Sequence, residues 1–185
     1  MGTSRPIAWL SAHQAQRDVL DGLARFDDWE SLWRECPRGD WLLGIAERIG
    51  AEHTQLVRAA IQCVRITDDA PATMLDLCER WTRGEATAEE VARAADELDR
   101  ALAGAADPAS EAAMRAALAV GMGVADRAVL SSAPAAAVES VMMASIDCGF
   151  ELAMRWAQDK CAAAVRSVLT WELVAPCVER LEDRG

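Results

Sequence analysis

Apolar residues recur at helical spacing along almost the whole chain, and alternating β-branched runs are nearly absent. Turn punctuation falls every 12–25 residues. The pattern predicts an all-α fold: one domain over residues 1–185, a bundle of about seven or eight helices. The first helix is expected from Pro6 to about Ala24, with Pro at its first turn. Asp27-Asp-Trp-Glu30 reads as a capping box for a short helix to Glu35. Pro37-Arg-Gly-Asp40 then breaks the chain. Asp40 is placed to cap a helix over Trp41–Ile49, which Gly50 ends. A helix follows over about Thr54–Ile66, and another runs from Pro71 to about Arg83, where Gly84 stops it.

Thr87-Ala-Glu-Glu90 is a capping box for a helix to about Ala105. Asp107-Pro108 supplies cap and first residue for a helix to about Leu130. The last long helix is expected over Ala135–Leu169, about 50 Å if unbroken. Val138, Val141, Met142, Cys148, Leu152, Trp156, Cys161, Val165 and Val168 form its apolar stripe, and Gly149 is a candidate kink. The bundle is expected to be built around this helix. A short helix over Trp171–Glu182, distorted near Pro176, closes the chain.

Ala113, Ala117, Gly121 and Ala125 recur every fourth residue. Such a row admits a close neighbouring helix. Ordinary packing within the chain is the first reading, and a homo-oligomer seam is the alternative.

Composition narrows the class. Apolar residues are 52% and charged residues 26% of the 185, so the chain can fill a core without a metal or disulfide staple. The net charge is −11. The deficit is local, because residues 68–99 hold ten acids against three Arg, a net −7. Phosphate backbones would be repelled, which argues against nucleic acid as partner. A basic protein would be steered in. None of the six Cys has C-x-x-C spacing, and most lie on apolar stripes, so they read as buried free thiols in a reducing cytoplasm. No apolar run is long enough to span a membrane, and no signal-peptide core is apparent.

Catalytic and metal chemistry finds little support. His13 and His53 are the two His, and neither completes a Glu-x-x-His pair. No nucleophile elbow is present, and Gly121-Met-Gly123 lacks the strand and later glycine of a phosphate loop. The chain therefore reads as a non-enzyme without cofactor or metal.

The most distinctive segment is Trp29–Trp41, which holds three of the seven Trp residues. Trp29 and Trp33 share one helix face, and Trp41 follows the turn. These rings either pin short helices to the bundle or present an aromatic anchor to a partner, beside Arg34 and Arg38.

The stretch Leu32-Trp-Arg-Glu-Cys-Pro-Arg-Gly-Asp-Trp-Leu-Leu43 resembles the opening motif of a bacterial family of immunity proteins, the fifth in the usual naming. Ala59-Ala-Ile-Gln-Cys-Val-Arg65 is similar to its next helix, with Ile61 replacing a Cys. Glu79-Arg-Trp-Thr-Arg-Gly-Glu-Ala-Thr-Ala-Glu-Glu90 resembles a third stretch closely. Cys161-Ala-Ala-Ala-Val-Arg166 resembles a fourth, with Ala163 in place of an acid. The likeness covers roughly residues 29–100 and 155–175. It implies a helical protein that binds and blocks a toxin encoded beside it.

No contact roles carry over with this likeness. Asp40, Trp41, Arg65, Glu79, Gly84, Glu85 and Arg166 are motif positions only. Arg65 or Arg166 is expected to pair with Glu79 or Glu85. The partner-binding candidates are Trp29, Trp33, Asp40, Trp41, Glu79, Glu85, Glu89 and Glu90. Cys36, Pro37, Gly39, Arg65, Gly84 and Arg166 are read as structural. The expected function is stoichiometric inhibition of a basic toxin, with a helical adaptor or scaffold, homo-oligomeric in one form, as the alternative.

Overall fold

A computed structural model describes residues 5–13, 15–146 and 149–182. Every regular element among them is helical. In chain order these are α1 (Arg5–Ala12), α2 (Arg17–Leu23), α3 (Trp29–Glu35), α4 (Gly39–Arg48), α5 (His53–Val64), α6 (Ala72–Thr82), α7 (Ala88–Leu102), α8 (Pro108–Ala125), a 310 helix (Arg127–Ser131), α9 (Ser132–Ala144), α10 (Phe150–Val168) and α11 (Trp171–Glu182). The all-α class holds. The described count is eleven α-helices, more than the seven or eight expected.

Two expected helices are each divided, which raises the count. The first breaks before Gln16, whose backbone is extended. The His13 ring stacks on Trp9, and its Nδ1 lies 2.8 Å from the Trp9 carbonyl at the end of α1. The break lets Leu10 and Leu23 both be buried, which one straight helix with that ragged stripe does not allow. The expected helix over Ala135–Leu169 is likewise two helices, and Gly149 (φ 112) precedes the second. Cys148 lies outside the described residues.

The core is organised around α5, not around the C-terminal helix. Leu56, Val57, Ala59, Ala60, Ile61, Cys63 and Val64 are buried, covering most of its circumference. It packs against α4, α6, α8, α9 and α10. A helix apolar on nearly all sides belongs at the centre. The amphipathic α7 is its opposite: only Val91 and Ala95 are buried, and it leans on α8 and α6. The small-residue row of α8 is consumed inside the chain. Ala113 and Ala117 are buried, and Gly121 faces Met74 and Ala95.

The ends of α6 and α7 show local sequence acting directly. The Gly84 and Glu85 amides bond back to the Trp81 and Arg80 carbonyls at 2.9 and 2.8 Å, with Gly84 at φ +74. This double bond with a left-handed residue is the Schellman stop, and a glycine meets its geometry without a Cβ penalty. Three residues on, Thr87 and Glu90 close a reciprocal capping box. The motif Glu79–Glu90 thus encodes one helix end, a turn and the next helix start.

Candidate protein-binding surfaces

The Trp-rich segment is an internal clamp between the two ends of the chain. Asp28 caps α3, its carboxylate accepting from the Ser31 amide at 2.7 Å. That bond holds the Asp28 carboxyl below its ordinary value. Glu30 does not complete the expected box. It pairs with Arg34 instead. Trp29 and Trp33 are buried, so neither is an exposed anchor. The Trp33 indole Nε1–H donates to the Leu169 carbonyl at 3.0 Å, where α10 ends. Arg166 Nη1 donates to the Cys36 carbonyl at 2.8 Å and closes the same corner from the other side. Arg166 therefore pairs with neither Glu79 nor Glu85.

Gly39 explains why α4 begins where it does. A Cβ there would lie 2.7 Å from Cys161 Cβ and 2.8 Å from the Cys161 carbonyl carbon. The start of α4 crosses α10 backbone to side chain, at a distance that only glycine allows. The helix opens at Gly39 with Arg38 as its cap residue, and no side chain caps it. Asp40 is consequently inside the first turn and does not cap. Its carboxylate takes two bonds from the Arg38 guanidinium, at 2.9 and 2.6 Å. Arg38 also lies over the Trp41 ring at 4.5 Å, and Trp41 in turn covers Gly22 of α2. Arg38, Asp40 and Trp41 border a cleft of about 420 Å³ that also includes Leu10, Asp18, Glu47 and Arg48. Two of its charges, Arg38 and Asp40, satisfy each other. Pro37 leads into this turn, and Cys36 beneath it is buried, its thiol pushed up by that burial.

Carboxylates of the acidic stretch share the outer side of α7 with Arg93 and Arg100, both exposed. On α7, Glu89 and Asp96 are seven residues apart, hence on one stripe, opposite Val91 and Leu98. Glu97 and Asp99 flank them, and all four are exposed. Glu85 is exposed in the turn and paired with Arg83 at 2.9 Å, which holds its carboxyl below the usual range. Glu90 is occupied by the capping box: its carboxylate accepts the Thr87 amide at 2.7 Å and its pKa is lowered for that reason. Glu79 is half-buried and ion-paired with Arg65 at 2.9 Å, with Asp76 at 3.8 Å on the same guanidinium. The expected Arg65–Glu79 pair is therefore present. Of the acidic candidates, Glu89 is exposed with no ion pair among the described residues.

A surface absent from the sequence reading lies at the corner of α9 and α10. Leu152 and Trp156, expected in the core stripe, are 73% and 48% exposed, and Ile146 and Phe150 are exposed beside them. The break between the helices redirects α10 and turns this part of the stripe outward. The signal available was the glycine at 149 together with the aromatic pair Phe150 and Trp156.

The five described Cys are free and buried. Burial pushes the Cys78 thiol up to about 12. The neighbouring Cys161 thiol, with burial, raises Cys63. No group of three or more His, Cys, Asp or Glu is arranged to hold a metal ion among the described residues, and His53 Nε2 donates to the Gly123 carbonyl at 2.8 Å. No single described helix is long and apolar enough to cross a membrane. Comparison with protein-family profiles, with curated proteins and with solved structures finds no match to this chain.

Proposed function

We propose that this chain is a non-enzymatic binding protein that inhibits a basic protein partner by stoichiometric occlusion, as the resemblance to immunity proteins implies. The observation that supports the reading is the outer face of α7. Glu89, Asp96, Glu97 and Asp99 stand in solvent there beside Arg93 and Arg100, a net acidic surface opposite the side that packs on α8. An acidic face of this kind accelerates encounter with a partner whose own site must attract phosphate, such as a nuclease toxin. Specificity for a toxin rests on the motif resemblance, not on the geometry. The alternative, a helical scaffold that assembles with itself, draws on the exposed apolar corner of α9 and α10 and not on the Ala row of α8.

The test is capture of the tagged protein from its own cells, with wild type beside a Glu89→Arg, Asp96→Arg variant. Both side chains are exposed and neither caps a helix, so the variant keeps its fold. The reading expects one basic partner at unit stoichiometry, whose activity the wild type blocks on co-expression. It expects the variant to bind about tenfold more weakly, mostly through the on-rate, with a reduced salt dependence. Unchanged affinity and salt slope would refute the acidic face. A captured partner whose activity persists would refute the inhibitor role.

A further inference from the structure

Cys63 of α5 and Cys161 of α10 are 98 positions apart in the chain and meet in the core, both fully buried. The Cys63 Sγ lies 3.4 Å from the Cys161 carbonyl oxygen, and the Cys161 Sγ lies 4.0 Å from the Cys63 carbonyl oxygen. A cysteine side chain is short, so each sulfur reaches the facing carbonyl only where the two backbones nearly touch. A disulfide asks for the same arrangement: α-carbons close together and side chains aimed at each other. Cys36 and Cys177 differ. Cys36 reaches the Arg38 carbonyl and Cys177 the Gly50 and Leu173 carbonyls, so neither is set against another cysteine.

The two thiols have different surroundings. The Cys161 thiol, ahead of burial, raises the Cys63 thiol, which therefore keeps its proton. Cys161 borders a cavity of about 140 Å³ between the start of α4, α9 and α10, where Arg38, Asp40, Met142, Met154 and Gln158 are its neighbours. Gly39 lines the same cavity and sets no side chain in front of Cys161. A space of this size holds a few water-sized molecules, hence also a small hydroperoxide. Cys161 is thus the thiol that such an oxidant meets first, with Cys63 directly behind it.

We propose that Cys63 and Cys161 are a redox latch, which a small hydroperoxide closes by joining α5 to α10 through a disulfide. The Cys161 sulfur attacks one peroxide oxygen, and the oxygen–oxygen bond breaks. Cys161 becomes a sulfenic acid, and the other oxygen leaves as water with the Cys161 proton. The Cys63 sulfur then attacks the Cys161 sulfur. The sulfur–sulfur bond forms, the sulfur–oxygen bond breaks, and the hydroxyl leaves as a second water with the Cys63 proton. Two thiols are oxidised and one peroxide is reduced to two waters. The new bond fastens the central helix α5 to α10, whose end Trp33 and Arg166 already tie to the α3 segment. A cross-link over so long a loop restricts the unfolded chain strongly. A dithiol reductant reopens the latch by exchange. The inference is independent of the acidic-face reading, which concerns α7.

The test treats the purified full chain with hydrogen peroxide, blocks the remaining thiols by alkylation and digests with trypsin without reduction. Trypsin releases each of the two cysteines on its own short peptide, Ala59–Arg65 and Cys161–Arg166. Mass spectrometry is expected to find these peptides joined, and to find them separate after dithiothreitol. The oxidised chain is expected to melt about 5 °C or more above the reduced one. Cys63→Ala should abolish that gain and leave on Cys161 a sulfenic acid that dimedone traps. A wild type that stays unlinked while circular dichroism reports it folded overturns the proposal. So does a link that forms only in urea, or one that joins other cysteines in place of this pair. A Cys63–Cys161 link that leaves the melting temperature unchanged overturns the latch. Because no other protein is present, failure here leaves the α7 reading standing, and the reverse also holds.

Discussion

The Trp33 indole and the Leu169 carbonyl, 136 positions apart in the chain, share a buried hydrogen bond of 3.0 Å. The carbonyl belongs to the residue just after α10, where no intrahelical amide remains to serve it. The bond therefore completes a helix end and ties α3 to the α10–α11 corner. Trp33→Phe removes the donor together with part of the buried ring, so a small cavity adds to the lost bond. An unfolding free energy lower by about 1–3 kcal/mol or more is expected from urea titration, the cost of an unsatisfied buried carbonyl plus that cavity. A loss within error would mean that water replaces the indole.

Two glycines of α4 give opposite expectations. At Gly39 an added methyl collides with the backbone of Cys161 and with the Ala162 amide nitrogen at 3.0 Å, neither of which can rotate away. Gly39→Ala should cost about 1–3 kcal/mol, the usual penalty for overpacking. At Gly44 the nearest atom to an added Cβ is Ser131 Cβ at 3.5 Å, ordinary contact. Gly44→Ala should stabilise the chain by up to about 1 kcal/mol through helix propensity. Thermal melts of the two variants check the contrast. Equal effects would mean that α4 does not approach α10 as described.

Much of this architecture was readable where local chemistry decides it. The capping box at Thr87 and Glu90, the stop at Gly84 and the Asp107-Pro108 start all stand as the sequence pattern implies. The pattern misplaced features set by distant partners. Asp40 has the right chemistry for a cap, yet Gly39 starts the helix first because α10 crosses there. Trp29 and Trp33 share a face as their spacing demands, but only the fold reveals that the face turns inward. The stripe from Val138 to Val168 kept its helical period across a break, since periodicity counts residues and not direction. Periodicity alone thus places Leu152 and Trp156 in the core, whereas the fold exposes both.

The Arg65–Glu79 pair and the Arg166–Cys36 bond separate surface from joint. Arg65 is 41% and Glu79 27% exposed at their side chains, so water screens the attraction. Glu79→Gln is expected to cost less than about 1 kcal/mol. Arg166 is partly buried, and burial lowers its pKa while the Cys36 carbonyl holds its guanidinium. Arg166→Met, which retains the aliphatic stem, should cost about 1–3 kcal/mol by leaving that carbonyl unpaired. Urea titrations of both variants rank the two contacts, and a reversed order would contradict the role given to Arg166 at this corner.

Three capping carboxylates predict how stability responds to acid. The Ser31 amide lowers Asp28, the Thr87 amide lowers Glu90, and the Ser110 amide lowers Asp107, each relative to an ordinary value of 3.8 for Asp or 4.5 for Glu. A group whose pKa is depressed by folding stabilises the folded chain above its unfolded value. That contribution disappears as pH falls through the folded value, because the proton removes the charge that accepts the amide bonds. Thermal stability should therefore be nearly flat from neutral pH to about 5 and fall progressively below it. Replacing Asp28 and Asp107 with Asn retains cap acceptors that do not titrate. Glu90→Gln does the same for the capping box. The triple variant should show a shallower decline below the ordinary carboxyl values while remaining close to wild type at pH 7. A variant whose melting temperature tracks the wild type down through pH 3 would assign the acid sensitivity to other carboxylates.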